Sequence, residues 1–383
     1  MADKDFFEEQ DPASKIKTDI VCDYFEAWSK VITSVQDRSS RWPNEISYID
    51  LYAGKGRYED GTPSTALRIV QSAIEHDELH DRFSAYLNDE DEEFADELRQ
   101  NVEELDGVEK LKHTPTIDNV PVDDSTARSV RAIDLPPSLV FLDPWGYAGL
   151  SVDLFRAYLS NWGTDIIFFF NYNRINAALN NPTVEHHMDR MFGGTDATQS
   201  LRRELSETNS PDDRKTLITE AMNSALKDVG GDWRLSFEFR STTSNRPSHF
   251  IFFASGSYLG FKIMKRVMSK RSSGRSDQRA LFDLQREIQT NLLLDERPLG
   301  ELRDSILERF QGQRLTRDKL VRLHQEETGN KHMFEEKHYN EVLRELEDED
   351  RIEIYSTRES RRKHTYPDYV DIQFPDNEEQ ADE

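Results

Sequence analysis

The sequence predicts an α/β chain, a doubly wound and mostly parallel sheet followed by a small α+β domain. Three observations predict it. Short apolar runs ending in acidic or glycine-rich turns alternate with helical patterns over the N-terminal part, as in a parallel sheet whose crossovers are helices. One such run, Ile166-Ile-Phe-Phe-Phe-Asn171, is apolar throughout, as strands covered on both faces are. The C-terminal part reads as helices followed by short strands.

Taken in order, Asp11-Pro12-Ala13-Ser14 supplies turn and cap residues, after which Ile16, Ile20, Val21, Tyr24, Phe25, Trp28, Val31 and Ile32 recur at helical spacing. This is an amphipathic opening helix. Residues 46–52 form a buried strand entering a glycine-rich turn, and 64–74 the helix after it. Residues 83–88 form a second strand that runs into Asp89-Glu90-Asp91 and a charged helix through Val102. A third strand falls near Thr116-Ile117, a fourth over 138–143 and a fifth over 166–171. Ligands of such sheets bind at the strand carboxyl ends.

Later, 233–239 alternates as a strand that 249–254 can pair with, and a helix over 260–269 is expected to cover that edge. Residues 271–279, rich in Ser, Arg, Gly and Asp, read as a loop, and a domain boundary is expected within 285–298. Helices follow around 301–310, after Thr316 and over 337–349, then strands at 352–355 and 369–374. Three helices and a hairpin make the winged-helix order. The expected organisation is a Rossmann-like domain over 1–290, a winged helix over 298–375 and an acidic tail over 376–383.

Composition narrows the function classes. No run of about 18 apolar residues exists to span a bilayer. The acidic start lacks the basic and apolar regions of an export signal, so a cytoplasmic location and no membrane partner are expected. Cys22 is the single cysteine, which excludes an internal disulfide and a cysteine-based metal cluster. The net charge of −25 has two readings. A halophilic source would need an acidic, hydrated surface where screening lengths fall to about 3 Å. Alternatively, the surface repels nucleic acid.

The first strand leads into Tyr48-Ile-Asp-Leu-Tyr-Ala-Gly-Lys-Gly56. Its glycines let the backbone bend and approach a ligand closely. In an S-adenosylmethionine site, the Tyr52, Ala53, Gly54 and Gly56 segment would pass under the methionine portion while Asp50 holds its ammonium group. Asp89 or Glu90 would accept from the ribose hydroxyls, and Asp118 would face the adenine. The plainer reading is a glycine turn among surface acids.

The fourth strand ends in Asp143-Pro144-Trp145-Gly146-Tyr147, which resembles the Asp-Pro-Pro-Tyr element of amino-methyltransferases. In that element an Asp and a proline-fixed carbonyl accept from an exocyclic amine and an aromatic ring stacks on its base. Asp143 would be the acceptor and Trp145 or Tyr147 the platform, although Trp145-Gly146 departs from Pro-aromatic. The alternative is a Pro144 turn with Trp145 packed in the core. Asn171 to Arg174 either lines this cleft or is a solvated loop. His186 and His187 invite a metal reading but read better as a helix surface pointing in different directions, Cys22 reads as a packed residue rather than a nucleophile, and Lys15 and Lys17 either contact a ligand or, by default, are solvated.

Basic residues concentrate at Lys262, Lys265, Arg266, Lys270, Arg271, Arg275 and Arg279, and in the wing at Arg358, Arg361, Arg362, Lys363 and His364. Each cluster either tracks a phosphate backbone or is a solvated face.

The helix over 17–28, the loop Tyr48 to Tyr58, Gly61-Thr-Pro-Ser64, Phe141-Leu-Asp-Pro-Trp-Gly146, Met191-Phe-Gly193 and residues 249–268 resemble the three-Cys-motif partner family. The likeness covers about residues 13–275. It implies a Rossmann-like methyltransferase fold, often encoded beside a radical-type protein that carries the three-cysteine motif, and no settled substrate. The expected function is S-adenosylmethionine-dependent methyl transfer to an amine, with a nucleobase of DNA or RNA as one class. Competing expectations are a metal-dependent nuclease using Asp50, Asp89 and Asp143, and a non-catalytic adaptor whose winged helix binds nucleic acid or protein.

Overall fold

A computed structural model describes residues 12–39, 41, 44–240, 247–271, 281–283, 299–328, 334–358 and 361–376. The chain divides into two compact units, N-terminal and C-terminal, with residues 281–283 belonging to the first. The expected boundary region, Arg275, Arg279 and the tail beyond Asp376 lie outside the described residues.

The first unit runs α1 (Pro12–Asp37), β1 (Ile46–Asp50), α2 (Thr65–Glu75), β2 (Phe83–Asn88), α3 (Glu92–Glu103), β3 (Thr116–Asp118), α4 (Asp124–Arg131), β4 (Ser138–Leu142), α5 (Val152–Leu159) and β5 (Asp165–Phe170). It continues with α6 (Tyr172–Ala178), α7 (Glu185–Phe192), α8 (Thr195–Glu207), α9 (Pro211–Lys227), β6 (Trp233–Arg240), β7 (Pro247–Ser255), α10 (Tyr258–Arg271) and β8 (Leu281–Asp283). The strands form one sheet in the order β3-β2-β1-β4-β5-β7-β6-β8. β1 to β5 are mutually parallel, and β7 runs antiparallel to both β5 and β6. This is the doubly wound, mostly parallel arrangement expected. The order turns outward at β1 and β4, which opens a crevice beyond their carboxyl ends.

Local chemistry explains the starts of the crossovers. Ser64 caps α2 by accepting from Leu67 N, Asp91 caps α3 through Glu93 N and Phe94 N, and Ser151 caps α5 through Leu154 N. Each satisfies an amide that the first helical turn leaves open. On one face Phe25 of α1 packs edge-on against Tyr48 and Phe83. On the other, α5, α6, α7 and α9 bury Phe155, Ile175, Met188, Met191, Met222 and Leu226 against Val140, Ile166, Phe168 and Phe252.

One expectation is corrected. The helix after β7 does not cover the sheet edge, where β8 pairs with β6 instead. α10 lies beside α1 and against β6 and β7, because Gly260 brings its backbone close to the buried Tyr24 hydroxyl and Asp165.

The second unit consists of α11 (Leu299–Arg309), β9 (Arg314–Thr316), α12 (Arg317–Thr328), α13 (Glu336–Asp348), β10 (Glu353–Ser356) and β11 (Val370–Gln373). β11 lies between β10 and β9, antiparallel to both. Leu302, Ile306, Phe310, Leu320, Tyr339, Leu343, Leu346 and Ile372 form its core. This is a winged helix, with β9 as a third strand that the sequence reading did not contain.

Candidate active site

The carboxyl ends of β1, β2, β4 and β5 open on a cavity of about 870 Å³. After β1 the chain turns through Gly54 at φ +63° and Gly56 at φ +88°, a region costly for residues with a Cβ. A Cβ at Gly56 would also stand 3.0 Å from Leu98 Cδ1. The loop is pinned from several sides. Ala53 N donates to Asn88 O at 2.9 Å, Gly54 N to Asp89 Oδ2 at 2.9 Å, and Asn101 Nδ2 to Lys55 O at 2.8 Å.

Asp50 lies buried at the inner wall, where it accepts from Tyr48 OH at 3.0 Å and Tyr52 N at 3.1 Å. Burial outweighs these bonds and pushes its pKa from 3.8 up to about 7. Asp89 is also raised by burial, although Gly54 N and Asp91 N donate to it. Tyr52, Ala53 and Glu90 line the same end. Asp118 does not. It is exposed at the end of β3, and its carbonyl accepts from Asp89 N at 3.3 Å. Val122 is the residue beyond β3 that reaches the wall.

Asp143, Pro144, Trp145 and Tyr147 line the other end. Trp145 is 43% exposed, so the core-packed alternative does not hold. Arg174 donates to the Trp145 carbonyl and lies 5.9 Å from its ring. Asn171 caps α6 by accepting from Arg174 N, and both residues line the cavity. Lys17 overturns its default reading: it is buried and donates to Asp143 Oδ2. Its Nζ sits 4.8 Å from the centre of the Phe169 ring, on which His249 stacks. Lys17, Phe169 and His249 line the cavity; Phe169 and His249 were not singled out from the sequence, and Lys17 only as the lesser of two readings. The available signal was Lys17 standing at helical spacing from Val21, Phe25 and Trp28 on a stripe that is otherwise apolar.

Asp50, Asp89 and Asp143 do not form a shared metal donor set. Their bonds go to the Tyr48 hydroxyl, to backbone amides and to Lys17. Among the described residues no group of three or more His, Cys, Asp or Glu could hold a metal. His186 and His187 do not diverge as expected, since their rings lie 3.9 Å apart and His187 sits beside Tyr147. Burial pushes the Cys22 thiol up to about 12, which suits a packed side chain.

Much of the basic charge is used internally. Arg271 pairs with Asp19 and Asp23, and Lys265 is buried beside Phe261. In the second unit, Arg361 pairs with Glu347, and Lys363 and His364 both pair with Asp348. Arg358 lies 4.1 Å over the Tyr369 ring. Among the described residues, no helix is long and apolar enough to cross a membrane.

Residues 269–358 match the family described as GMT-like wHTH domain. The C-terminal part of the chain is therefore similar to a known winged helix. No curated protein matches the sequence. Among solved structures, the chain is similar to a predicted O-methyltransferase from Agrobacterium tumefaciens, at 13% identity and a TM-score of 0.29 over 55% of this chain and 74% of that one. It is also similar to the methyltransferase domain of a bacterial CtHen1, at 12% identity and a TM-score of 0.29 over 61% and 98%. A geranyl diphosphate C-methyltransferase from Streptomyces coelicolor shows 12% identity and a TM-score of 0.24 over 60% and 77%. The fold assignment rests on the strand order of this chain itself.

Proposed function

We propose that the chain is an S-adenosylmethionine-dependent methyltransferase of the three-Cys-motif partner type, acting on an amine of the kind a nucleobase of DNA or RNA carries. The observation that supports this most is one cavity holding both halves of the needed chemistry. Asp50, Gly54, Gly56 and Asp89 stand at one end and Asp143, Pro144, Trp145 and Tyr147 at the other. Its volume of about 870 Å³ is in the range of small-molecule sites.

The donor set fits the cofactor. Asp50 is a buried carboxylate that an ammonium group would keep ionised, and Asp89 is positioned for vicinal hydroxyls at the end of β2. The Gly54 to Gly56 backbone admits close approach. When bound, S-adenosylmethionine supplies an electrophilic methyl carbon that the acceptor nitrogen's lone pair takes as the S–C electron pair returns to sulfur and an N–H proton is released. The protein's part is orientation and local electrostatics. With Lys17 on Oδ2, Asp143 Oδ1 accepts from the amine, and Trp145, exposed at the mouth, stacks on its ring.

The winged helix is read as a nucleic-acid contact through the wing residues 358–364, the basic stretch 262–279 as a separate one, and a radical-type three-cysteine protein as a second partner. The internal pairing of Arg361, Lys363 and His364 favours a second reading, in which the winged helix docks protein. The net charge of −25 supports a cytoplasm rich in salt.

Calorimetric titration with S-adenosylmethionine in molar salt tests the central reading. Binding by the wild type and its loss in Asp50→Ala are expected, and no binding by folded wild-type protein refutes it. Asp143→Ala should retain binding and lose methyl transfer.

A further inference from the structure

We propose that Lys17 determines acceptor specificity, restricting the site to neutral, weakly basic amines such as the exocyclic amine of a nucleobase and excluding alkylammonium groups. This rests on the methyl-transfer reading above. Lys17 comes from the second turn of α1, outside the alternating strands and helices that build the sheet. Its side chain is 6% exposed, that of Asp143 22%, and its ammonium bonds Asp143 Oδ2 while lying over the Phe169 ring.

A carboxylate beside an aromatic face is a general trap for an ammonium ion. In this cavity the trap is already filled by the protein's own side chain, and the pair is neutral. An acceptor hydrogen-bonded to Oδ1 stands roughly 5 Å from Lys17 Nζ, two ordinary hydrogen bonds apart across one carboxylate. Compared with the same carboxylate lacking Lys17, a second ammonium at that separation in a partly buried site loses about a hundredfold in occupancy to repulsion. An alkylamine with pKa about 10.4 is neutral in only about one molecule per thousand at pH 7.4. An exocyclic amine conjugated to a ring meets neither barrier. It is uncharged, donates N–H to Oδ1 and lies flat against the exposed Trp145.

Transfer of labelled methyl from S-adenosylmethionine to adenosine, cytidine and an Nα-acetyl-lysine amide tests this, with cofactor titration run alongside. Wild type and Lys17→Arg should methylate a nucleoside and spare the lysine. Lys17→Met should shift the ratio toward the lysine by about tenfold or more, chiefly through KM at saturating cofactor. Should Lys17→Met not fold, Lys17→Gln, which keeps a donor and removes the charge, decides in the same way. The proposal is overturned if wild type prefers the lysine, if Lys17→Met leaves the ratio unmoved, or if cofactor-binding wild type methylates neither class. In each of these cases cofactor binding leaves the underlying reading standing, whereas no binding at all removes both.

Discussion

Replacing Asp50 by Asn should make the protein more stable at pH 8 while abolishing cofactor binding. Burial raises the Asp50 carboxyl from 3.8 to about 7. At about 1.4 kcal/mol per pH unit, the ionised form costs the folded state about 4 kcal/mol. The sign is opposite to that of a paired surface acid. The unfolded chain gives up this proton near pH 3.8 and the folded one near pH 7, so the penalty is absent in strong acid, grows between those values and is complete above them. An amide offers one oxygen where the carboxylate receives Tyr48 OH and Tyr52 N. One buried donor is therefore stranded, at about 1–2 kcal/mol. The net gain is about 2 kcal/mol at pH 8, or roughly 4 °C for a unit of this size, and close to zero at pH 5, where the penalty is only partly developed. Scanning calorimetry of ligand-free wild type and Asp50→Asn at both pH values, at one salt concentration, measures it. A Tm difference that is negative at pH 8, or the same at both pH values, would refute the reasoning.

Further outcomes follow from other contacts. If Asp50 must be ionised to hold the cofactor's ammonium, S-adenosylmethionine affinity should weaken about tenfold per pH unit below about 7 and level off above it, read by titration calorimetry across pH 5–9. Gly260→Ala should destabilise by about 1–3 kcal/mol despite better helix propensity, because its Cβ would stand 3.0 Å from both Tyr24 OH and Ser255 Oγ; urea unfolding followed by tryptophan fluorescence checks this. Arg361→Ala should cost the second unit about 2–3 kcal/mol, since Glu347 is 8% exposed and would keep only Tyr366 OH, at 2.7 Å, of its two side-chain partners. Unfolding of the full chain, monitored by exchange of amides in α13, reports it.

The sheet was legible because its signals are local. β2 falls on the residues its apolar run marks, and β1, β4 and β5 lie within a residue or two of theirs. The stretch between β5 and β6 was not, and there the expectation held little beyond a helix surface at His186 and His187. α7, α8 and α9 bury mainly narrow stripes such as Met188 with Met191 and Phe192, or Leu201 with Leu205, set among charged residues. Three-residue strands such as β8 and β9 carry no period at all. Asp50, Asp89 and Asp143 line one cavity because strand ends place them there. Asp118 failed because β3 stops short and leaves it outward, a matter of where the next loop turns. Lys17 stood only as the lesser reading for a different reason. Its partner lies 126 residues away, and only the packing of α1 across the strand ends joins them.

That packing has a mechanical side. Two residues beyond Lys17 on the same helix, Asp19 is gripped by Arg271, the last described residue of α10, which also holds Asp23. An α-helix rises only 1.5 Å per residue and transmits displacement along its axis with little give. The turn of α1 that carries Lys17 is thus tied, through Asp19, to the end of α10.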